Sequence, residues 1–230
     1  MPEEINRLVT DSITDLFFTT SKMASDNLIR EGHSNKKIHL VGNTMIDTLI
    51  SNQSRFIAPS LTDELNLKDG KYIVMTLHRP SNVDSKTQLK GILDDISSAN
   101  TGYPIIFPVH PRTAAKLDDL TLDNIHFATP MRYLEFMHLV KNSFAVITDS
   151  GGIQEETTYF GIPCITLRNN TERPETIEIG SNKLVGSDPE RLKQLLQELF
   201  SGSWEKGTIP EFWDGQAGRR IIDFLSNEVS

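Results

Sequence analysis

The sequence predicts an α/β fold, a doubly wound parallel sheet with helices on both faces. Short runs rich in valine, isoleucine and phenylalanine recur along the chain. Each leads toward a segment with helical spacing, and the runs are continuously apolar rather than alternating. Strand–helix alternation indicates a parallel sheet, and unbroken apolar strands are those buried on both sides.

Taken in order, LFFT (16–19) is the weakest strand candidate, and the helix-like SKMASDNLIREG follows, with Gly32 as its C-terminal stop. The stronger candidates are IHLV (38–41), YIVMTL (72–77), PIIFPV (104–109), IHFA (125–128), FAVIT (144–148), CITL (164–167) and KLVG (183–186). Helices are expected over 43–56, 86–99, 132–142, 152–160, 188–200 and 216–227, while 201–214 reads as loop. With no repeat or linker, a single domain is expected. It spans 36–214, with an N-terminal segment (1–35) and a C-terminal helix (215–230) packing peripherally.

Composition narrows the function. A chain of 230 residues with 37% hydrophobic and 23% charged residues is that of an ordinary soluble protein. No apolar run approaches a membrane span, and MPEEIN is not a secretory leader. The single cysteine, Cys164, excludes an internal disulfide and is compatible with a cytoplasmic location. A net charge of −8 argues against nucleic acid or an anionic membrane as partner. It leaves room for a small anion where cations gather locally.

In such sheets ligands lie beyond the carboxyl ends of the strands. The most informative strand-to-helix junction is TDSGGIQEE, where Ser150, Gly151 and Gly152 lead from a strand into a helix. Glycines allow a tight turn and close approach, and the helix N-terminus favours a phosphate. Glu155 and Glu156, in the second turn, are placed to accept hydrogen bonds from ribose hydroxyls. On residue types alone, a capped βα turn with two solvated glutamates is an equal reading. No Walker loop or GxGxxG pattern occurs. The junctions TLHRPSNVD (76–84), PVHPRT (108–113) and LRNNTERPE (167–175) add His78, Arg79, His110, Arg112, Arg168, Glu172 and Arg173. Cations at one sheet edge of an acidic chain suit a diphosphate.

These stretches, with PEEINR (2–7), EG (31–32), VGNTMIDTL (41–49), GIPCITLRNNTERPE and DGQAGRRIIDFL (214–225), resemble the UDP-N-acetylglucosamine 2-epimerases, in order and over essentially the whole chain. SGGIQEE followed by TERPE is the most specific part. The resemblance implies the Rossmann-like C-terminal domain of a GT-B-type two-domain fold. It implies a non-hydrolysing reaction, UDP-GlcNAc to UDP-ManNAc through elimination and re-addition of UDP, with no metal or redox cofactor. On its motifs, Glu3 and His78 would be catalytic, and Arg7, Phe136, Ser150, Gly151, Gly152, Glu156 and Arg173 would bind UDP or the nucleotide-sugar. Glu4, Arg79 and His110 match a second, regulatory UDP-GlcNAc pocket of some members. A homodimer is the family expectation, as is envelope or surface polysaccharide synthesis.

The chain also departs from the family pattern. Pro80-Ser81 replaces an Arg-Glu pair, and Met131 stands where some members carry a base-contacting glutamine. The family's amino-terminal domain, with two further catalytic carboxylates in GD and HVEAG motifs, precedes PEE, and neither motif occurs here. The expectation is therefore a UDP-binding half whose N-terminal domain is missing, poorly active alone. The competing readings are a GT-B glycosyltransferase domain, a non-catalytic nucleotide-sugar-binding module and the hydrolysing epimerase subclass.

Overall fold

The computed structural model describes residues 2–100, 102–114, 116–117, 122–186 and 188–228, and the side chains of Glu3 and Arg112 lie outside the described set. In chain order the elements are α1 (Pro2–Ser12), β1 (Phe17–Thr19), α2 (Lys22–Arg30), β2 (Ile38–Leu40), α3 (Thr44–Asn52), α4 (Leu61–Glu64), β3 (Ile73–Thr76), α5 (Pro80–Val83), α6 (Lys86–Ala99), β4 (Ile105–Pro108), α7 (Pro111–Ala114), β5 (Ile125–Ala128), α8 (Tyr133–Lys141), β6 (Ala145–Thr148), α9 (Gly151–Phe160), β7 (Cys164–Thr166), α10 (Glu175–Glu178), β8 (Asn182–Leu184), α11 (Pro189–Ser201) and α12 (Ala217–Glu228).

Two compact units result. One comprises 1–51 with 210–230, the other 52–209. The sequence reading drew the sheet domain from 36 to 214. In the structure β2 pairs in parallel with β1, in a two-stranded sheet separate from the six-stranded one. Apolar runs reveal strands but not their partners, so this division was not readable from the runs. The helix expected over 43–56 stops at Asn52 and continues as a 3₁₀ turn to Arg55.

In the first unit the last segment of the chain closes on the beginning. Trp213 Nε1 donates to the Thr20 carbonyl at 3.1 Å. The Asp47 carboxylate accepts from the first amides of α12, Ala217 N at 3.1 Å and Gly218 N at 2.7 Å. This is a helix cap supplied from another helix, where orphan amides and the positive dipole end both favour a carboxylate. Phe18, His39 and Phe224 meet in edge-on and tilted ring contacts in the same unit.

The second unit is the doubly wound sheet. Its six parallel strands run β5-β4-β3-β6-β7-β8. Ile73, Val74 and Met75 of β3 and Ala145, Val146 and Ile147 of β6 are all fully buried, so these central strands are covered on both faces as their composition required. α6 starts where Ser85 accepts from Gln88 N, and it turns Leu89, Leu93 and Ile96 into the core. α11 starts at Asp188, with proline in its first turn, and ends at Gly202 with φ +76°. Its Leu192, Leu195, Leu196 and Leu199 meet the same core cluster.

The loop 202–209 passes against the end of α10. Thr208 N donates to the Ile179 carbonyl at 2.6 Å, and a Cβ on Gly207 would stand 2.1 Å from the Gly180 carbonyl carbon. Gly207→Ala must therefore separate two backbones. We expect a loss of about 2 kcal/mol in urea unfolding, the scale of an overpacked site. A midpoint equal to that of the parent would show that the loop can lift at no cost.

Candidate functional site

The strand order reverses direction between β3 and β6, since β3 continues outward to β4 and β6 to β7. That is the switch point where the carboxyl ends of a doubly wound sheet leave a crevice. The junctions singled out from sequence all stand there, at the ends of the four adjacent strands β4, β3, β6 and β7.

Asp149 organises the crevice, and its side chain is fully buried. It accepts from His78 N at 3.1 Å, Arg79 N at 2.9 Å and Asn82 Nδ2 at 3.0 Å, and its Oδ1 stands 2.7 Å from His78 Nδ1. Burial alone would raise its pKa. The His78, Asn82 and Arg79 hydrogen bonds outweigh it and hold the carboxyl below the usual range. His78 is pushed the other way, upward, chiefly by its hydrogen bond to Asp149. Its ring is 62% exposed, so Nδ1 is anchored while the rest of the imidazole faces outward. Asn82 also donates to the Leu167 carbonyl at 3.2 Å, joining the β3 loop to the end of β7. Thr76 and Thr148 hydroxyls, 2.8 Å apart, tie the ends of β3 and β6. Sequence reading gave Asp149 and Asn82 no role. Their value depends on β3 lying beside β6, which the letters around them do not announce.

Ser150 is the N-cap of α9 in extended conformation, and its hydroxyl makes no cap bond to the helix. Gly151 and Gly152 begin the helix. The tight-turn reason given for them does not hold, because neither is at positive φ. A Cβ on Gly151 would meet Arg168 Nη1 at 3.8 Å and Glu172 Oε2 at 4.0 Å. The first amides of a helix have no acceptor within it and favour an anion, so they are a candidate anion cradle.

The two glutamates of α9, alike in sequence, differ in structure. Both are buried rather than solvated. Glu155 Oε1 pairs with Arg173 Nε at 2.7 Å. Glu156 Oε1 accepts from the Tyr133 hydroxyl at 3.1 Å. Burial pushes the Glu156 carboxyl up to about 7, and Tyr133, also partly buried, is raised as well. The loop after β7 is fixed against α9 by a buried polar network. Thr171 donates to Gln154 at 2.7 Å, Asn182 donates to Gln154 at 3.0 Å, and Gln154 donates to the Ser150 carbonyl at 2.9 Å.

The remaining candidates fall elsewhere. Phe136 lies half-buried on α8. Met131 lines a 660 Å³ cleft along the β5 edge with Phe127 and Glu135, a cleft that Phe136 does not line. His110 is exposed at the end of β4, and Arg79 Nε donates to the Asp149 carbonyl at 3.2 Å. Glu3 is in α1, but its side chain lies outside the described residues. Arg7 and Glu4 belong to the first unit, where the Arg7 guanidinium binds Glu4 at 2.7 Å, Asp11 at 2.6 Å and Glu31 at 2.7 Å. Among the described residues, one group of metal-ligand types comes together, Asp11, Glu31 and His33, within 4.8 Å of one another. The Arg7 guanidinium is already bonded to both of its carboxylates, so a cation would have to compete with it there. No helix among the described residues is long and apolar enough to cross a membrane.

Comparison with known proteins is consistent throughout. A family model described as UDP-N-acetylglucosamine 2-epimerase matches residues 1–226. The UDP-N-acetylglucosamine 2-epimerase of Methanococcus maripaludis is 39% identical over 99% of this chain and 65% of its own length. The chain thus spans about two thirds of the length of such relatives. Among solved structures, the Methanocaldococcus jannaschii UDP-GlcNAc 2-epimerase in complex with UDP-GlcNAc and UDP superposes with a TM-score of 0.81 at 39% identity, over 99% of this chain and 65% of that one. The S. aureus MnaA–UDP structure gives 0.87 at 28% identity, over 100% of this chain and 65% of that one.

Proposed function

Because this chain belongs to the UDP-N-acetylglucosamine 2-epimerase family, we propose that it forms the UDP-holding side of a site that interconverts UDP-GlcNAc and UDP-ManNAc. The observation that carries this reading is the crevice at the switch point. A helix N-terminus opened by glycines, a buried carboxylate one turn further on and an anchored histidine converge on it.

In this reading the amides of Gly151 and Gly152 and the Ser150 hydroxyl take the diphosphate, and Glu156 accepts from the ribose hydroxyls. Arg173 reaches the nucleotide-sugar from the neighbouring loop, and Phe136 flanks the uracil. Arg79 and His110 serve a second, regulatory UDP-GlcNAc pocket. The reaction breaks the C1–O bond, leaving its electron pair on UDP, as a base removes the proton from C2. Helix amides and cations at the departing phosphate stabilise the charge that develops there. Asp149 holds His78 by Nδ1, which leaves Nε2 to donate to that oxygen. Re-addition of UDP, with proton return to the other face of C2, completes the inversion. The base requires groups from the part of the relatives' length that this chain does not span, so turnover belongs to the complete assembly.

Calorimetric titration of the chain with UDP and UMP, beside a Ser150→Ala/Glu156→Ala variant, tests this. UDP is expected to bind, UMP at least tenfold more weakly, as befits loss of one charged hydrogen-bonding group, and the variant to lose both. Equal affinity for UDP and UMP would refute the diphosphate assignment. Unchanged binding by the variant would place the nucleotide elsewhere.

A further inference from the structure

We propose that Arg168 is a further anion-binding residue of this crevice, and that Glu172 is its resident counterion, displaced when a diphosphate binds. This rests on reading the α9 N-terminus as the diphosphate site. The Arg168 side chain is only 3% exposed. Its Nε and Nη1 are shut from solvent with no hydrogen-bond partner, while Nη2 donates to Glu172 Oε1. A buried guanidinium cannot shed its proton, so unused donors on it carry a desolvation cost that a ligand oxygen would remove.

The free donor faces the cradle. Arg168 Nη1 and Glu172 Oε2 stand 3.8 and 4.0 Å from the point where a Cβ on Gly151 would sit, beside the first residue of the ten-residue helix α9. In the structure, then, a carboxylate occupies the neighbourhood where a helix dipole and a guanidinium both attract negative charge. Glu172 is unlike Arg168 in one decisive respect. Its side chain is 59% exposed, so its own charge is solvated once it swings into water, and the ligand takes its place on the guanidinium. Its departure opens the guanidinium toward the cradle. A diphosphate then takes over the bond to Nη2 and supplies an acceptor to Nη1, a forked arrangement suited to phosphate oxygens. The Gln154–Thr171 bond holds the stem of the loop in place, which confines the motion to the side chain.

Inorganic pyrophosphate is the probe, titrated calorimetrically into the 230-residue chain and two variants. Glu172→Gln keeps the shape and removes the competing charge, and it should bind pyrophosphate about fivefold more tightly, the scale of one exposed ion pair. Arg168→Gln should bind it about thirtyfold more weakly, as for a lost charged hydrogen bond, and uridine should discriminate neither variant from the parent. A purely structural Arg168 would lower the urea midpoint without changing the ratio of pyrophosphate to uridine affinity. Pyrophosphate binding that is no tighter in Glu172→Gln overturns the proposal, as does its absence from all three proteins. If UDP fails to bind but pyrophosphate follows the expected order, this inference stands and the nucleotide reading falls.

Discussion

Replacing Asp149 by alanine is expected to cost the second unit about 4 kcal/mol, the scale of several buried donors left without an acceptor at about 1–3 kcal/mol each. The change leaves the amides of His78 and Arg79 and the Asn82 side chain without their acceptor, three donors that water reaches poorly beneath the loop. His78→Ala should cost far less, because that imidazole is largely in solvent and Asp149 keeps its other partners. Urea unfolding of both variants at neutral pH makes the comparison, and equal midpoints would mean that Asp149 is no hub. pH adds a second signature. The Asp149 carboxyl is depressed, so its contribution is present above the unfolded carboxylate range and disappears as pH falls through its lowered value. His78 is raised, so its contribution is complete below about 6.5, the ordinary imidazole value, and fades as pH climbs through the raised one. The pair is therefore strongest in mildly acidic solution, and Asp149→Ala should erase that maximum.

Glu156→Gln is expected to do the opposite to stability. Between the ordinary glutamate value of 4.5 and the folded value of about 7, the native protein holds a proton that the unfolded chain does not. Stability contributed by this group therefore falls as pH rises through that window, by about 3 kcal/mol in all. Glutamine has no such titration, so at pH 8 the variant should be more stable than the parent by about 2 kcal/mol, after allowing for its imperfectly paired amide. Near pH 5 the two should coincide. The same substitution should weaken UDP about tenfold, since an amide accepts from two ribose hydroxyls less well than a carboxylate. Parallel stability profiles across this range would contradict the burial argument. Tighter UDP binding would contradict the ribose assignment. A gain in stability with a loss of affinity would mark a group kept for ligand rather than for fold.

The positions of the strands were legible because the chemistry of burial is local. Ile73–Thr76 and Ala145–Thr148 must be apolar end to end if helices cover both faces, and the sequence shows it. The α9 junction was legible for a similar reason, as glycines before a helix leave a mark in the letters themselves. What escaped reading was everything that depends on pairing. Asp149 meets His78 across 71 positions, and Tyr133 meets Glu156 across 23. Arg168 was legible as one of several strand-end cations, but its burial and its unused nitrogens were not. The division into two units was hidden likewise. β2 reads as one more strand of the series, and only its pairing with β1 removes it to another sheet.

The return of residues 210–230 to complete the first unit has a consequence for synthesis on the ribosome. Segment 1–51 is synthesised before the whole of 52–209 and waits through it before its partner, 210–230, appears. At about 5–20 residues per second this is an interval on the order of ten to thirty seconds. The inserted unit is continuous in sequence and can condense during that wait. Segment 1–51 lacks its partners until then, because the Thr20 contact and the Asp47 cap need Trp213, Ala217 and Gly218. Nascent chains stalled before position 210 should therefore present a protease-resistant 52–209 unit and a protease-sensitive 1–51 segment, and residues 210–230 act as the latch that ends the sensitivity.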